Sequence, residues 1–137
     1  MKNERGTALV ESAISLLMFF TILFGILEAG RFMFFQQTLT DAAREGARLA
    51  VAPITQTDTM ATCDQIKTYV TQVTNIAHIS NPTIDCTPVV VNTGGVATHF
   101  TQVTVSAPYN VVTLAMFSSS LNVTLKGQAL MRNETSP

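Results

Sequence analysis

An uncharged apolar segment near the start of the chain limits what the protein can fold into. It runs from Ser12 to Leu27, and a helix of that length covers about 24 Å. Apolar residues flank it, and a helix from Thr7 to Glu28 would measure roughly 32 Å, close to the hydrocarbon thickness of a bilayer, about 30 Å. The segment therefore predicts a membrane-spanning helix with Glu11 and Glu28 near its two ends, where carboxylates need partners.

The overall composition fits a membrane anchor joined to one small domain. The chain has 137 residues, of which 12% are charged, and its mean hydropathy of +0.30 is high for a soluble protein. A cleaved secretory signal is the alternative interpretation, with residues 1–5 as its charged region. However, the apolar run is longer than such signals usually have, and residues 28–30 make a poor signal-peptidase site. We therefore favour a retained anchor.

Helical periodicity continues beyond the membrane segment, which predicts a helix that stands partly outside the bilayer. Small and apolar residues recur on one face, namely Leu39, Ala42, Ala43, Gly46, Leu49 and Ala50. The opposite face carries charges that can form i,i+3 ion pairs, namely Asp41, Arg44, Glu45 and Arg48. Because Pro53 ends the pattern, we predict one helix from Thr7 to Ala52, about 70 Å long. Its outer half should pack on the protein's own sheet, and close approach of other backbones to the small residues is the alternative.

The rest of the chain predicts a small α+β head. A second amphipathic helix is expected from Thr59 to Ala77, with Asp58 as its N-cap and Asn81-Pro82 after its end. Three β-like segments follow, at Thr83–Val91, Thr98–Ala107 and Leu121–Met131. The turn signal Asn92-Thr93-Gly94-Gly95 joins the first two as a hairpin, whereas Pro108–Ser120 is predicted to be a longer connection. The head should be one helix on a three- or four-stranded antiparallel sheet.

Two cysteines, Cys63 and Cys86, both follow the predicted anchor. A single pair in an otherwise cysteine-free chain favours a disulfide over a metal site. Such a bond would contribute about 3 kcal/mol in the loop-entropy model and would place the head in an oxidising compartment, with the N-terminus inside the cell. Two unrelated buried thiols are the alternative.

Glu28 and Arg31 lie three residues apart, where the predicted helix leaves the hydrocarbon. Their spacing lets them pair on the same side of the helix as Leu39 and Gly46. The simplest interpretation is an interfacial ion pair that ends the membrane span.

Three blocks of the sequence resemble the TadE/TadG-like pseudopilins of tight-adherence (Tad/Flp) type IV pilus systems. Arg5-Gly6 followed by TALVE (residues 7–11) resembles a prepilin processing site, although Ser12 replaces the aromatic residue often found next. The segments FGILEAGR (24–31) and DAAREGAR (41–48) resemble the body of that family. The segments QVTVSAPY (102–109) and QALMRNE (128–134) resemble its closing strands.

The resemblance implies that a prepilin peptidase cuts after Gly6, so that Thr7 becomes the mature N-terminus. Glu11 would then lie only about 6 Å along the helix from the new α-amino group, and could neutralise that amine in its own chain or in a neighbour. The implied organisation is a leader at 1–6, a long helix at 7–53 and a periplasmic, pilin-like head at 54–137. Loss of the leader leaves six basic and eight acidic residues, with no basic cluster to hold nucleic acid.

Catalytic and metal-binding patterns are not found in the sequence. His78 and His99 lie at no helical spacing from a cysteine or carboxylate that could share a metal. There is no phosphate-binding glycine loop and no nucleophile motif. We therefore expect no enzyme, no cofactor and no metal.

The sequence thus predicts a minor pseudopilin that helps to assemble or initiate a Tad/Flp-type pilus by lateral helix packing. Its expected partners are pilin or pseudopilin subunits, the prepilin peptidase, the assembly platform and membrane lipid. Its expected location is the bacterial inner membrane, as a single-pass protein with the head in the periplasm, and incorporation into an adhesive pilus stays open. The alternative is a membrane-tethered periplasmic binding module that is neither processed nor polymerised.

Overall fold

The computed structural model describes residues 3–51, 61–93, 96–112 and 122–133. A long helix, α1 (Asn3–Val51), is followed by a short helix, α2 (Cys63–Ile76), and by three strands. The strands are β1 (Thr83–Thr93), β2 (Val96–Asn110) and β3 (Asn122–Arg132). They form an open antiparallel sheet in the order β1-β2-β3. The predicted α+β class and the long N-terminal helix are confirmed.

Helix α1 has two halves with opposite surroundings. Residues 6–27 are exposed along their whole length, and they include most of the large apolar side chains of the helix. In the second half the predicted stripe is buried, with Leu39, Ala42 and Ala43 fully enclosed. The helix begins at Asn3, so it includes part of the predicted leader rather than starting at Thr7. Small residues on the stripe let the helix axis approach the sheet closely.

Helix α2 is shorter than predicted and has a different cap. Its N-cap is Thr62, whose backbone N–H donates to Gln65 Oε1 at 3.0 Å. The predicted start at Thr59 and the predicted cap Asp58 lie outside the described residues. The helix ends at Ile76, before Asn81-Pro82, because His78 takes a left-handed conformation with φ of 56°.

The sheet register places apolar residues of all three strands on the face toward α1. Val103 lies opposite Cys86 and Ala129, and Val105 lies opposite Ile84 and Gly127. The predicted hairpin is confirmed by the pairing of β1 with β2 up to Thr93 and Val96. The turn residues Gly94 and Gly95 lie outside the described residues.

Strand β2 is longer than predicted, because it continues through Pro108 to Asn110. The prediction that a connection begins at Pro108 was wrong. A proline removes a ladder hydrogen bond and is tolerated where a strand has an open side. Strand β1 begins at Thr83, opposite Ser106, so among the described residues only β3 pairs with β2 beyond that point. Pro108 therefore lies in the part of β2 that has no partner in β1, where a missing ladder N–H is tolerated.

The core of the head lies between α1, α2 and the inner face of the sheet. Helix α1 packs on β2 and β3 and against α2. The buried apolar residues come from all of these elements: Leu39, Ala42, Ala43, Ala47, Ala50, Ile66, Val70, Ile79, Val103, Val105, Ala107, Tyr109 and Leu125. One continuous helix therefore supplies both the exposed apolar half and one side of the core.

Candidate assembly site

The exposed half of α1 carries most of the exposed large apolar side chains of the described residues. It contains a stretch with a mean hydropathy of 2.2 in which no residue is buried. Between residues 9 and 27, every large apolar side chain is at least 38% exposed. In water, such a surface would be strongly unfavourable. A helix of this length and composition is compatible with a single-pass membrane protein.

Gly6, Thr7 and Glu11 lie at the N-terminal end of this exposed half. Gly6 has open space around its Cα: apart from its chain neighbours and the backbone of its own helix turns, no described atom lies within 4 Å of the position where a Cβ would stand. Thr7 and Glu11 are four residues apart, so they occupy the same helix face one turn from each other. Processing after Gly6 and pairing of Glu11 with the mature amine stay predictions.

At the other end of the apolar half, Glu28 is the centre of a junction between helix and head. The Arg31 Nη1 atom lies 3.9 Å from Glu28 Oε1. The hydroxyl of Tyr109, from the end of β2, donates a hydrogen bond to the same oxygen at 2.6 Å. Only 17% of the Glu28 side chain is exposed, so the carboxylate is held largely by these two partners.

Aromatic side chains pack around the Tyr109 ring. The ring centroid lies 5.7 Å from that of Phe32 and 5.2 Å from that of Phe35, both in edge-to-face geometry. The Arg31 guanidinium lies 5.3 Å from the Tyr109 ring centroid, at cation–π distance. The last turns of the span and the end of β2 are therefore joined by one compact cluster.

The pKa of Tyr109 is raised to about 12 by burial, by the hydrogen bond to Glu28 and by the negative charge of Glu28, which Arg31 partly offsets. The hydroxyl is therefore protonated at neutral pH and can donate to the carboxylate. Because the neutral form is favoured in the folded state, this stabilisation is fully present below about pH 10 and is lost as the pH rises toward 12.

Tyr109 lies within the segment Pro108–Ser120 that the sequence pattern predicts to be a connection, so the pattern predicts no partner for it. The alternation of apolar residues at Val103, Val105 and Ala107 continues to Tyr109 with a period of two. That alternation was the signal that could have placed Tyr109 on the inner face of β2.

We expect Tyr109→Phe to lower the free energy of unfolding of the head by about 2 kcal/mol, because a hydrogen bond to a charged group is lost while the ring packing stays. Urea denaturation of the full chain in detergent, followed by circular dichroism, measures the change. Tyr69→Phe is the matched control, since the Tyr69 hydroxyl is 3.5 Å from Glu45 at an exposed site and should contribute less than about 0.5 kcal/mol. Equal effects of the two substitutions would contradict the assigned role of Tyr109.

Cys63 and Cys86 are brought together at the start of α2 and in β1. They are not bonded, but Cys86 Sγ lies 4.0 Å from the Cys63 carbonyl oxygen. Burial and the neighbouring Cys63 raise the pKa of Cys86 to about 12, so this thiol is protonated and a poor nucleophile at neutral pH. The placement is compatible with a disulfide, which stays a prediction.

The charged face of α1 beyond the junction forms two exposed ion pairs, Arg44 with Asp41 and Arg48 with Glu45, at 3.6 and 3.8 Å. Pairs this exposed contribute little to stability. In the part of the chain that the structure describes, no three His, Cys, Asp or Glu side chains come together as metal ligands. The exposed apolar helix and its junction with the head are therefore the features that carry a functional argument.

Comparison with known proteins gives one match. A family model described as TadE-like protein matches residues 6–48, which begins at Gly6 and ends near the end of α1. No curated protein and no solved structure matches the chain. The resemblance of residues 102–109 and 128–134 to the closing strands of the family lies outside the match and stays a prediction. The TadE-like family predicted from the sequence is confirmed over residues 6–48, and it suggests that the protein takes part in a Tad pilus system.

Proposed function

We propose that the protein is a minor pseudopilin that takes part in the assembly or initiation of a Tad/Flp-type pilus. The observation that carries the proposal is the family match on a helix whose N-terminal apolar half is exposed along its whole length. In a membrane this half is available to pack against the apolar helices of pilin subunits through van der Waals contact. The action is assembly and requires no catalytic group.

The head supports a minor rather than a major role. Family resemblance implies that major pilins of Tad systems are very short after processing, whereas α2 and the three strands form a packed core behind the helix. In this proposal the helix is held in the inner membrane, the leader faces the cytoplasm and the head projects into the periplasm. Its partners are pilin or pseudopilin subunits, the prepilin peptidase and the assembly platform.

Glu11 supplies the polar part of the lateral association. It is the acidic residue within the apolar half of α1, and after cleavage it lies one turn from the Thr7 amine. An unpaired charge at membrane depth costs roughly 2.5 kcal/mol or more. Pairing of Glu11 with the amine of an adjacent subunit would recover that free energy only when the subunits are in contact. The carboxylate would therefore favour assembly over dispersed monomers.

We expect Glu11→Ala to be inserted, processed and folded normally, but to lose about tenfold or more of its association with the partner pilin. Co-purification from membranes at equal expression measures the association, and piliation is scored in the same strains. Glu45→Ala is the matched control, since Glu45 lies on the same helix but in an exposed ion pair of the head. Unchanged association and piliation for Glu11→Ala would remove the proposed role of Glu11.

A further inference from the structure

The contacts between α1 and the sheet show which end of the head is nearest the membrane span. Near the outer end of α1, Gly46 packs against Val103 of β2. Closer to the span, Leu39 meets Gly127, which pairs with Val105. At the end of the span, Glu28 meets Tyr109. Strand β2 therefore runs back along α1 toward the span, and the β1-β2 hairpin lies at the far end of the head.

The end of the head beside the span carries exposed apolar side chains. We call the surface formed by Phe32, Val112 and Val123, together with Arg31, the lower edge. Tyr109 and Val123 are direct partners across β2 and β3. Phe32 is 42% exposed and Val123 is 42% exposed, although Phe32 packs on the Tyr109 ring and Val123 is the strand partner of Tyr109. Val112, which follows the end of β2, is 50% exposed. The lower edge is thus apolar surface that the described part of the head does not cover.

The composition and position of the lower edge match a lipid interface. Phe32 lies about 6 Å beyond Glu28 along the helix, which is the depth of the headgroup layer if the hydrocarbon ends near Glu28. Aromatic and arginine side chains are enriched at this depth, because a ring or an aliphatic stem lies in apolar surroundings while the polar end stays hydrated. The Glu28 charge is paired with Arg31 and with the Tyr109 hydroxyl, which reduces the cost of holding it there.

We propose that the lower edge of the head rests in the headgroup layer of the membrane that α1 spans. Lipid headgroups and the first methylenes of the acyl chains cover Phe32, Val112 and Val123. The lower edge is continuous with the exposed apolar half of α1, so one lipid surface covers both. The Tyr109 cluster then fixes the head upright, with the hairpin pointing away from the membrane. This inference rests on the spanning role of α1, but not on processing or on polymerisation.

The chain contains no tryptophan, so single introduced tryptophans report their surroundings without background. Val123→Trp tests the lower edge, and Val91→Trp is the matched control, since both valines are 42% exposed in strands of the same sheet. Phe20→Trp reports the span itself. Each full-length variant is reconstituted in phospholipid vesicles at a low protein-to-lipid ratio. Tryptophan quenching is measured with lipids brominated on the acyl chains and with lipids that carry a nitroxide on the headgroup.

We expect the headgroup nitroxide to quench Val123→Trp at least about twofold more than Val91→Trp, with blue-shifted emission at position 123. Lipids brominated on their acyl chains should quench the tryptophan of Phe20→Trp more strongly than the tryptophans of the other variants. If Phe20→Trp is quenched while Val123→Trp behaves like Val91→Trp, the head does not touch the membrane. The inference is then overturned, while the spanning role of α1 stands. If Phe20→Trp is not quenched, the spanning helix and the inference fall together. Circular dichroism of each variant verifies that the head is folded, and Val112→Trp repeats the test at a second position of the lower edge.

Discussion

Gly6→Leu should keep the protein at full length in cells that express the cognate prepilin peptidase, whereas the wild type loses residues 1–6 and begins at Thr7. The resemblance to prepilin sites implies that the peptidase requires glycine before the cut. Among the described atoms outside its own helix turns, none lies within 4 Å of the position where a Cβ would stand at Gly6, so a side chain added at this position begins in open space. A block in processing would therefore report recognition by the peptidase rather than misfolding.

Intact-mass measurement of the purified protein gives the answer directly, because processing is all or none for each molecule. Gly30→Leu is the matched control: Gly30 is also helical and also has open space around it, but it lies far from the predicted cut. We expect the control to be processed like the wild type. If Gly6→Leu also begins at Thr7, so that its mass equals that of the processed wild type, the requirement for glycine before the cut is contradicted. A leader retained in both would favour the alternative of an unprocessed, membrane-tethered binding module.

The local features of this fold could be predicted well because they depend on short-range patterns. The buried stripe that includes Leu39, Ala42 and Ala43 follows from helical spacing. The hairpin between β1 and β2 follows from a turn signal between two β-like runs. Each pattern consists of residues that are close together in the sequence, so neither depends on contacts between distant parts of the chain.

The junction at Glu28 could not be predicted in the same way. The hydrogen bond from Tyr109 joins residues 81 positions apart, and no local pattern specifies such a pairing. It also depends on β2 continuing past Pro108, which the usual effect of proline argued against. The i,i+3 spacing predicts that Glu28 and Arg31 pair, and the structure adds Tyr109 as the third partner, with Phe32 and Phe35 packed on its ring. The predicted membrane-boundary role of the pair is what the lipid-quenching experiment addresses.

Gly127→Ala should be the most destabilising small substitution in the head. A Cβ at this position would meet the backbone of α1. It would lie closer to the Leu39 carbonyl group than real Cβ atoms come to any neighbour, and it would lie 2.6 Å from the Thr40 backbone nitrogen. Leu39 is fully buried, and Gln36 Nε2 donates to the Lys126 carbonyl at 2.9 Å beside it. Neither backbone can move away without breaking packing or this hydrogen bond, so we expect a loss of about 3 kcal/mol in the free energy of unfolding.

A graded series of glycine substitutions tests whether close approach is the cause. At Gly46 a Cβ would meet Val70 Cγ2 at 2.7 Å, the end of a side chain that can shift, so Gly46→Ala should cost less than Gly127→Ala. At Gly30 the space is open, and alanine in a helix should be neutral or stabilising by up to about 1 kcal/mol. We expect the denaturant midpoint to be lowest for Gly127→Ala, intermediate for Gly46→Ala and highest for Gly30→Ala. The three midpoints are measured in the same detergent, with the cysteines in the same redox state. If Gly127→Ala had the midpoint of Gly30→Ala, β3 would not lie against α1 at Leu39, and the head would not be seated on the helix as the structure has it.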